Sequence, residues 1–283
     1  MYDQSSTQTT LKFGWRFKKR SPLISLVVSG ALLIACTPSF EARSEAAPNP
    51  SARVWKILPL GDSNTAGGGY ENAADKLSTH HSDRGNLFNR LQAAGYTIDY
   101  LGTRQAGIYP ATNTPETSYH GNVTEDIPDE DHGGDGGFSM YGNRCNFSEF
   151  PSGLCSLGGN LDAMLAGQPD IVLLMIGHNG AGDKPAELER LVDEIKSKLP
   201  KTVVFSGGYP NLASNLGTWQ ERRDKARSLA NPARGIHYVD LNDVLPSASD
   251  FVNANDNVHH SRSGAVKVAA RFYDALEPYL RGK

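Results

Sequence analysis

The chain is 283 residues long, 39% hydrophobic and 21% charged, a balance that excludes a disordered or fibrous protein and points to one soluble globular domain. Its formal net charge is -3, and Lys and Arg are scattered after residue 50, so no basic stripe is available to neutralise a phosphate backbone. Nucleic acid is therefore not expected as a partner.

The opening segment reads as an export signal. Arg16, Lys18, Lys19 and Arg20 form a cationic cluster just ahead of an apolar run at 23–35. That run is about thirteen residues long, shorter than the roughly 20 a helix needs to cross a bilayer core, so a permanent transmembrane helix is not expected. At its end Leu33-Ile34-Ala35-Cys36 resembles the bacterial lipobox. The resemblance implies that Cys36 receives a diacylglyceryl group and becomes the first residue after cleavage. The alternative is a plain signal peptide cut near Ala46-Ala47, and either version exports the protein. Acyl chains contribute about 0.8 kcal/mol per buried CH₂, so several chains would hold the domain at a membrane surface. Thr37, standing where Asp often marks retention in the inner membrane, tilts the anchor toward the outer one and leaves both membranes open. Residues 37–52 are rich in Ala, Pro, Ser and Glu without periodicity and read as a tether, leaving 53–283 as the folded domain.

In that domain, short apolar runs enriched in β-branched residues predict strands at 54–60, 98–101, 171–176, 202–206 and 236–239. Helical patterns fall at 85–94, 157–166, 186–199, 219–230 and 265–280, with Gly264 opening the last of them. The alternation implies an α/β domain with a parallel sheet. The stretch 103–156 has no sustained periodicity and reads as a long functional loop. It holds Cys145 and Cys155, the pair left once Cys36 is set aside. In an oxidising compartment they are expected to form a disulfide, two free thiols being the alternative.

The first strand runs directly into Gly61-Asp62-Ser63-Asn64, which places the Ser63 hydroxyl at the carboxyl end of a parallel strand, where open α/β sheets bind ligands. Taken alone this is also an ordinary turn. A serine nucleophile needs a base, and the base needs a group to fix its tautomer. Asp256-Asn257-Val258-His259 offers both, within one expected loop turn that brings the Asp256 carboxylate back to the His259 ring. Acyl transfer also needs donors for the developing oxyanion. Asn179, in Gly177-His178-Asn179 after a strand, and the backbone N–H of Gly137, in Gly136-Gly137-Phe138, are the candidates.

In this order, Gly61-Asp62-Ser63, a loop glycine, Gly177-x-Asn179 and Asp256-x-x-His259 resemble the SGNH hydrolases, also called GDSL esterases, over residues 54–280. The resemblance implies a flavodoxin-like three-layer sandwich with a five-stranded parallel sheet. It makes Ser63 the nucleophile, Asp256 and His259 its partners, and the Ser63 amide, Gly137 and Asn179 the oxyanion donors. Ile57-Leu58-Pro59-Leu60-Gly61-Asp62-Ser63 and His132-Gly133-Gly134-Asp135-Gly136-Gly137-Phe138 look like the family three carbohydrate esterases, which implies O-acetyl esters of polysaccharides as substrates and no metal or organic cofactor. The sequence departs from the family at Gly180, where Asp is usual, and at His178, where Thr or a small residue is usual. It departs again at His260, where Pro is usual, and at Gly136, where Ser is common; that last change leaves Gly134 as an alternative donor. Two rival functions remain: a lysophospholipase or arylesterase using the same triad, and a surface glycan-binding protein without turnover.

Other clusters are read as structural. His80, His81 and Asp83 do not converge as zinc ligands, and Asp126, Asp129, Glu130, Asp131 and Asp135 read as a solvated acidic loop more readily than as a Ca²⁺ site. Tyr70, Tyr109, Tyr119, Phe138, Tyr141 and Phe147 are candidates for sugar stacking or for local packing.

Overall fold

The computed structural model describes residues 53–67, 82–103, 129, 131–134, 138–141, 156–179, 184–210, 216–253 and 256–283, with backbone alone at 216–219, 252–253 and 256–257. The export signal with Cys36, the tether, and the Cys145–Cys155 pair lie outside these residues.

The strands are β1 (Val54–Gly61), β2 (Thr97–Tyr100), β3 (Gly133–Gly134), β4 (Ile171–Met175), β5 (Val203–Gly207) and β6 (Ile236–Val239). The main path runs β2-β1-β4-β5-β6 and every pairing in it is parallel. The helices are α1 (Ser63–Ala66), α2 (Asp83–Ala93), α3 (Leu157–Leu165), α4 (Pro185–Lys198), α5 (Leu216–Ser228) and α6 (Arg262–Arg281).

Side chains alternate across a strand, and where both faces are covered, as in β4, every position is apolar and buried. In β1, Trp55 and Ile57 enter one core while Leu58 and Leu60 enter the other; in β4, Ile171, Leu173 and Met175 oppose Val172 and Leu174. The first core is closed by Leu87, Phe88 and Leu91 of α2 and by Val268, Phe272 and Leu276 of α6. The second is closed by Leu161 and Met164 of α3 and by Leu188, Leu191 and Ile195 of α4. This is the expected flavodoxin-like sandwich.

Strand order reverses at β1, whose neighbours are β2 and β4. Its carboxyl end is therefore the topological switch point, the crevice where such sheets take ligands. There β3 continues the edge that β2 leaves, pairing Leu60 with Gly133 and Gly61 with Gly134.

Three expectations are corrected. The two-residue strand β3 is a sixth member of the sheet. The last helix begins at Arg262 rather than at Gly264, because Ser261 is its N-cap and its hydroxyl accepts the Gly264 N–H at 3.3 Å. The Asp256-to-His259 segment is an edge strand instead of a loop turn: β8 (Asp256–His260) pairs antiparallel with β7 (Phe251–Asn253), matching Phe251 with His260 and Asn253 with Asp256.

Candidate active site

At the end of β1 the chain must turn under its neighbours. A Cβ on Gly61 would stand 2.2 Å from both the Met175 carbonyl oxygen and Thr65 Oγ1, so glycine alone lets the strand pass. Asp62 then caps α1: its Oδ1 accepts the Asn64 N–H at 3.2 Å. Ser63 is the first residue of that turn and is largely buried. Its Oγ lies 2.9 Å from His259 Nε2 on β8, across 196 residues of sequence. A hydroxyl at hydrogen-bond distance from an imidazole nitrogen is the arrangement a base needs to take its proton. Asp256 lies three residues earlier on the same strand, where its backbone pairs with Asn253.

The turn is tied to β8 by Asn64. Its Nδ2 donates to the Val258 carbonyl at 3.0 Å, and its Oδ1 accepts the His260 N–H at 3.2 Å. Nδ2 also donates to the Tyr209 hydroxyl, which in turn donates to Asp62 Oδ1 at 3.0 Å. Burial first, and the Asp62 charge second, push the Tyr209 phenol well above its ordinary value of 10, so it remains a neutral donor. Its ring also meets His178, with centroids 5.2 Å apart.

Of the expected oxyanion donors, Asn179 is partly buried just past β4, and its Nδ2 donates to the Phe138 carbonyl at 2.8 Å. That bond orients the amide in a chain that lacks the usual Asp at 180, and it ties Asn179 to the residue following Gly137. Gly137 and Gly180 are outside the described residues. Gly134 is described: its N–H donates to His132 Nδ1 at 3.0 Å, and a Cβ there would stand 2.8 Å from the Ala66 nitrogen, so it is packed beneath α1. Arg222 reaches across from α5 to hydrogen-bond the Gly177 carbonyl.

The remaining candidates resolve into packing where they are described. Phe138 belongs to the second core, while Tyr141 donates to Glu194 at 2.6 Å with the Arg190 guanidinium 3.9 Å above its ring. Asp129 accepts the Tyr100 N–H at 2.5 Å and the Asp131 N–H at 3.3 Å, and burial raises its carboxyl above the usual range despite them. Asp83 is buried in the first turn of α2. Among the described residues no three His, Cys, Asp or Glu side chains converge on a metal position. Sequence reasoning passed over Tyr209 and the side chain of Asn64. The available signal was the place of Gly207-Gly208-Tyr209 at the carboxyl end of a parallel strand, on the same edge as Ser63.

Comparison with known proteins identifies the family and the fold. A family model described as GDSL-like lipase/acylhydrolase matches residues 57–272. The fold is similar to that of a Clostridium thermocellum family 3 carbohydrate esterase, at 22% identity and a TM-score of 0.59, covering 81% of this chain and 98% of that one. It is also similar to a carbohydrate esterase family 3 structure from Talaromyces cellulolyticus, at 16% identity and a TM-score of 0.55, covering 81% and 99%. A mutant acetyl esterase with an acetate ion aligns at 16% identity and a TM-score of 0.54, over 81% and 99%. No curated protein sequence matches significantly.

Proposed function

The chain belongs to the GDSL-like lipase/acylhydrolase family and is a carboxylic ester hydrolase; from that premise we propose that it removes acetyl groups from polysaccharides by a Ser63-His259-Asp256 mechanism. The observation that carries this reading is the 2.9 Å separation of Ser63 Oγ and His259 Nε2 at the switch point of the sheet. Ser63 Oγ attacks the acetyl carbonyl carbon as His259 takes its proton, and collapse of the tetrahedral intermediate breaks the ester C–O bond. His259 returns the proton to the departing sugar oxygen. Water then attacks the acyl-serine with His259 again as base, releasing acetate. The Asp256-x-x-His259 block, as the family resemblance reads it, gives Asp256 the task of holding the imidazole tautomer and stabilising the imidazolium.

The Ser63 amide, the Gly137 amide and the Asn179 side chain supply the oxyanion donors. Asn179 gives one amide hydrogen to Phe138 and keeps the other for this task. Gly134 is passed over because its N–H is engaged by His132. Acetyl as the acyl group, and a glycan as its carrier, draw support from the neighbours named as carbohydrate and acetyl esterases. Export and lipidation at Cys36 would place the enzyme at the cell envelope, where such polymers are met.

The test is an ester panel on the domain from residue 51: acetylated xylan, acetylated peptidoglycan, an aryl acetate, long-acyl aryl esters and a lysophospholipid. Release of acetate from xylan, abolished in a folded Ser63→Ala variant, is expected. Preference for the lysophospholipid or long-acyl esters would replace the substrate assignment, and full deacetylation by Ser63→Ala would remove the mechanism.

A further inference from the structure

A nucleophile and a base brought together from positions 63 and 259 need something to hold their separation, and the hydrogen bond between them is too weak to do so alone. The His259 side of the pair is an edge strand whose partner β7 has three residues. Its backbone on either side of His259 is engaged by Asn64. The Val258 carbonyl accepts from Asn64 Nδ2 at 3.0 Å and the His260 N–H donates to Asn64 Oδ1 at 3.2 Å. A primary amide presents a donor and an acceptor side by side, as a neighbouring strand does, so Asn64 supplies one rung of a ladder to β8. These bonds also settle the amide orientation, since the carbonyl must face the His260 N–H. Asn64 is the residue directly after Ser63, so the rung ties the nucleophile's own turn to the base.

The amide is held in turn. Tyr209 accepts from Asn64 Nδ2 and donates to Asp62 Oδ1, which also accepts the Asn64 backbone N–H. Asp62, Asn64 and Tyr209 are buried. Each of these hydrogen bonds has a definite donor and acceptor, which restricts the buried cluster to a single geometry.

We infer that Asn64 is a positioning residue for the reaction, braced by Tyr209, that sets His259 at hydrogen-bonding distance from Ser63 Oγ. The inference rests on the reading of Ser63 as nucleophile and His259 as base. A misplacement of about 1 Å at reacting groups costs on the order of 10² in rate. Asn64→Ala is therefore expected to lower kcat for an aryl acetate by about 10- to 100-fold, with KM changed by less than about twofold. Tyr209→Phe removes one oxygen, leaves the rung to β8 intact, and lowers kcat by a smaller factor.

The experiment measures kcat, KM and melting temperature for wild type, Asn64→Ala, Tyr209→Phe and Ser63→Ala. A loss confined to kcat, larger in Asn64→Ala than in Tyr209→Phe, supports the inference. Unchanged kcat in Asn64→Ala and Tyr209→Phe, with Ser63→Ala inactive, overturns it and leaves the nucleophile assignment standing. Should Asn64→Ala fail to fold, Tyr209→Phe decides by the same reading. Activity surviving in Ser63→Ala would overturn the nucleophile assignment itself.

Discussion

Replacing Asp250 by alanine removes the anchor of the hairpin that carries His259. The Asp250 side chain is 1% exposed and accepts from Lys267 Nζ at 2.6 and 2.7 Å, from Ser263 Oγ at 3.0 Å and from the Ser247 N–H at 3.2 Å. Breaking a buried charge pair typically costs about 3–5 kcal/mol because the partner is left unpaired. Here the Lys267 side chain is 43% exposed and regains water, which moves the cost to about 2–4 kcal/mol. At roughly 2–4 °C per kcal/mol for a domain of this size, the melting temperature should fall by about 5–15 °C.

The effect carries a pH signature. Burial alone would raise the Asp250 carboxyl, but the bonds from Lys267, Ser263 and Ser247 outweigh it and hold the group below its usual value. A carboxylate depressed on folding contributes stability that is present above its unfolded value of about 3.9 and is lost as pH falls through the folded value. Calorimetry of wild type against Asp250→Asn should therefore show a gap at pH 7 that narrows below about pH 4. A gap independent of pH, or a loss under about 1 kcal/mol in Asp250→Ala, would refute the account of this anchor.

Gly264→Ala places a methyl 2.2 Å from the Asp250 carbonyl oxygen. Because that neighbour is backbone, the first turn of α6 must shift, and chemical denaturation should register at least about 1–3 kcal/mol of destabilisation. Leu174→Ala empties a fully buried position in the second core and should cost about 2–5 kcal/mol by the same measurement, with KM for an aryl acetate unchanged in the folded fraction.

How far the sequence reveals this molecule depends on how local each feature is. β4 was legible because burial on both faces leaves an uninterrupted apolar run, Ile171 to Met175, with every residue buried, and β1 and β5 because apolar residues predominate in them. β3 was not, because two glycines carry no side-chain pattern and only their pairing with Leu60 and Gly61 makes them a strand. The start of α6 was hidden by the polar run Ser261-Arg262-Ser263, although Ser261 is a favoured N-cap residue. Ser63, Asn179 and His259 stood out through the spacing of their blocks, whereas Asn64 and Tyr209 did not. Their roles depend on contacts spanning about two hundred and about one hundred and fifty residues, and each looks like an ordinary turn or core residue until the fold brings it to the crevice.

In the proposed mechanism His259 activates Ser63 as the nucleophile. Labelling with a fluorophosphonate, followed by peptide mapping in the mass spectrometer, tests it without any assumption about the natural ester. One adduct is expected, on Ser63, forming at a rate that falls by several orders of magnitude in a folded His259→Ala variant. An adduct on another serine, or an undiminished labelling rate in His259→Ala, would contradict it.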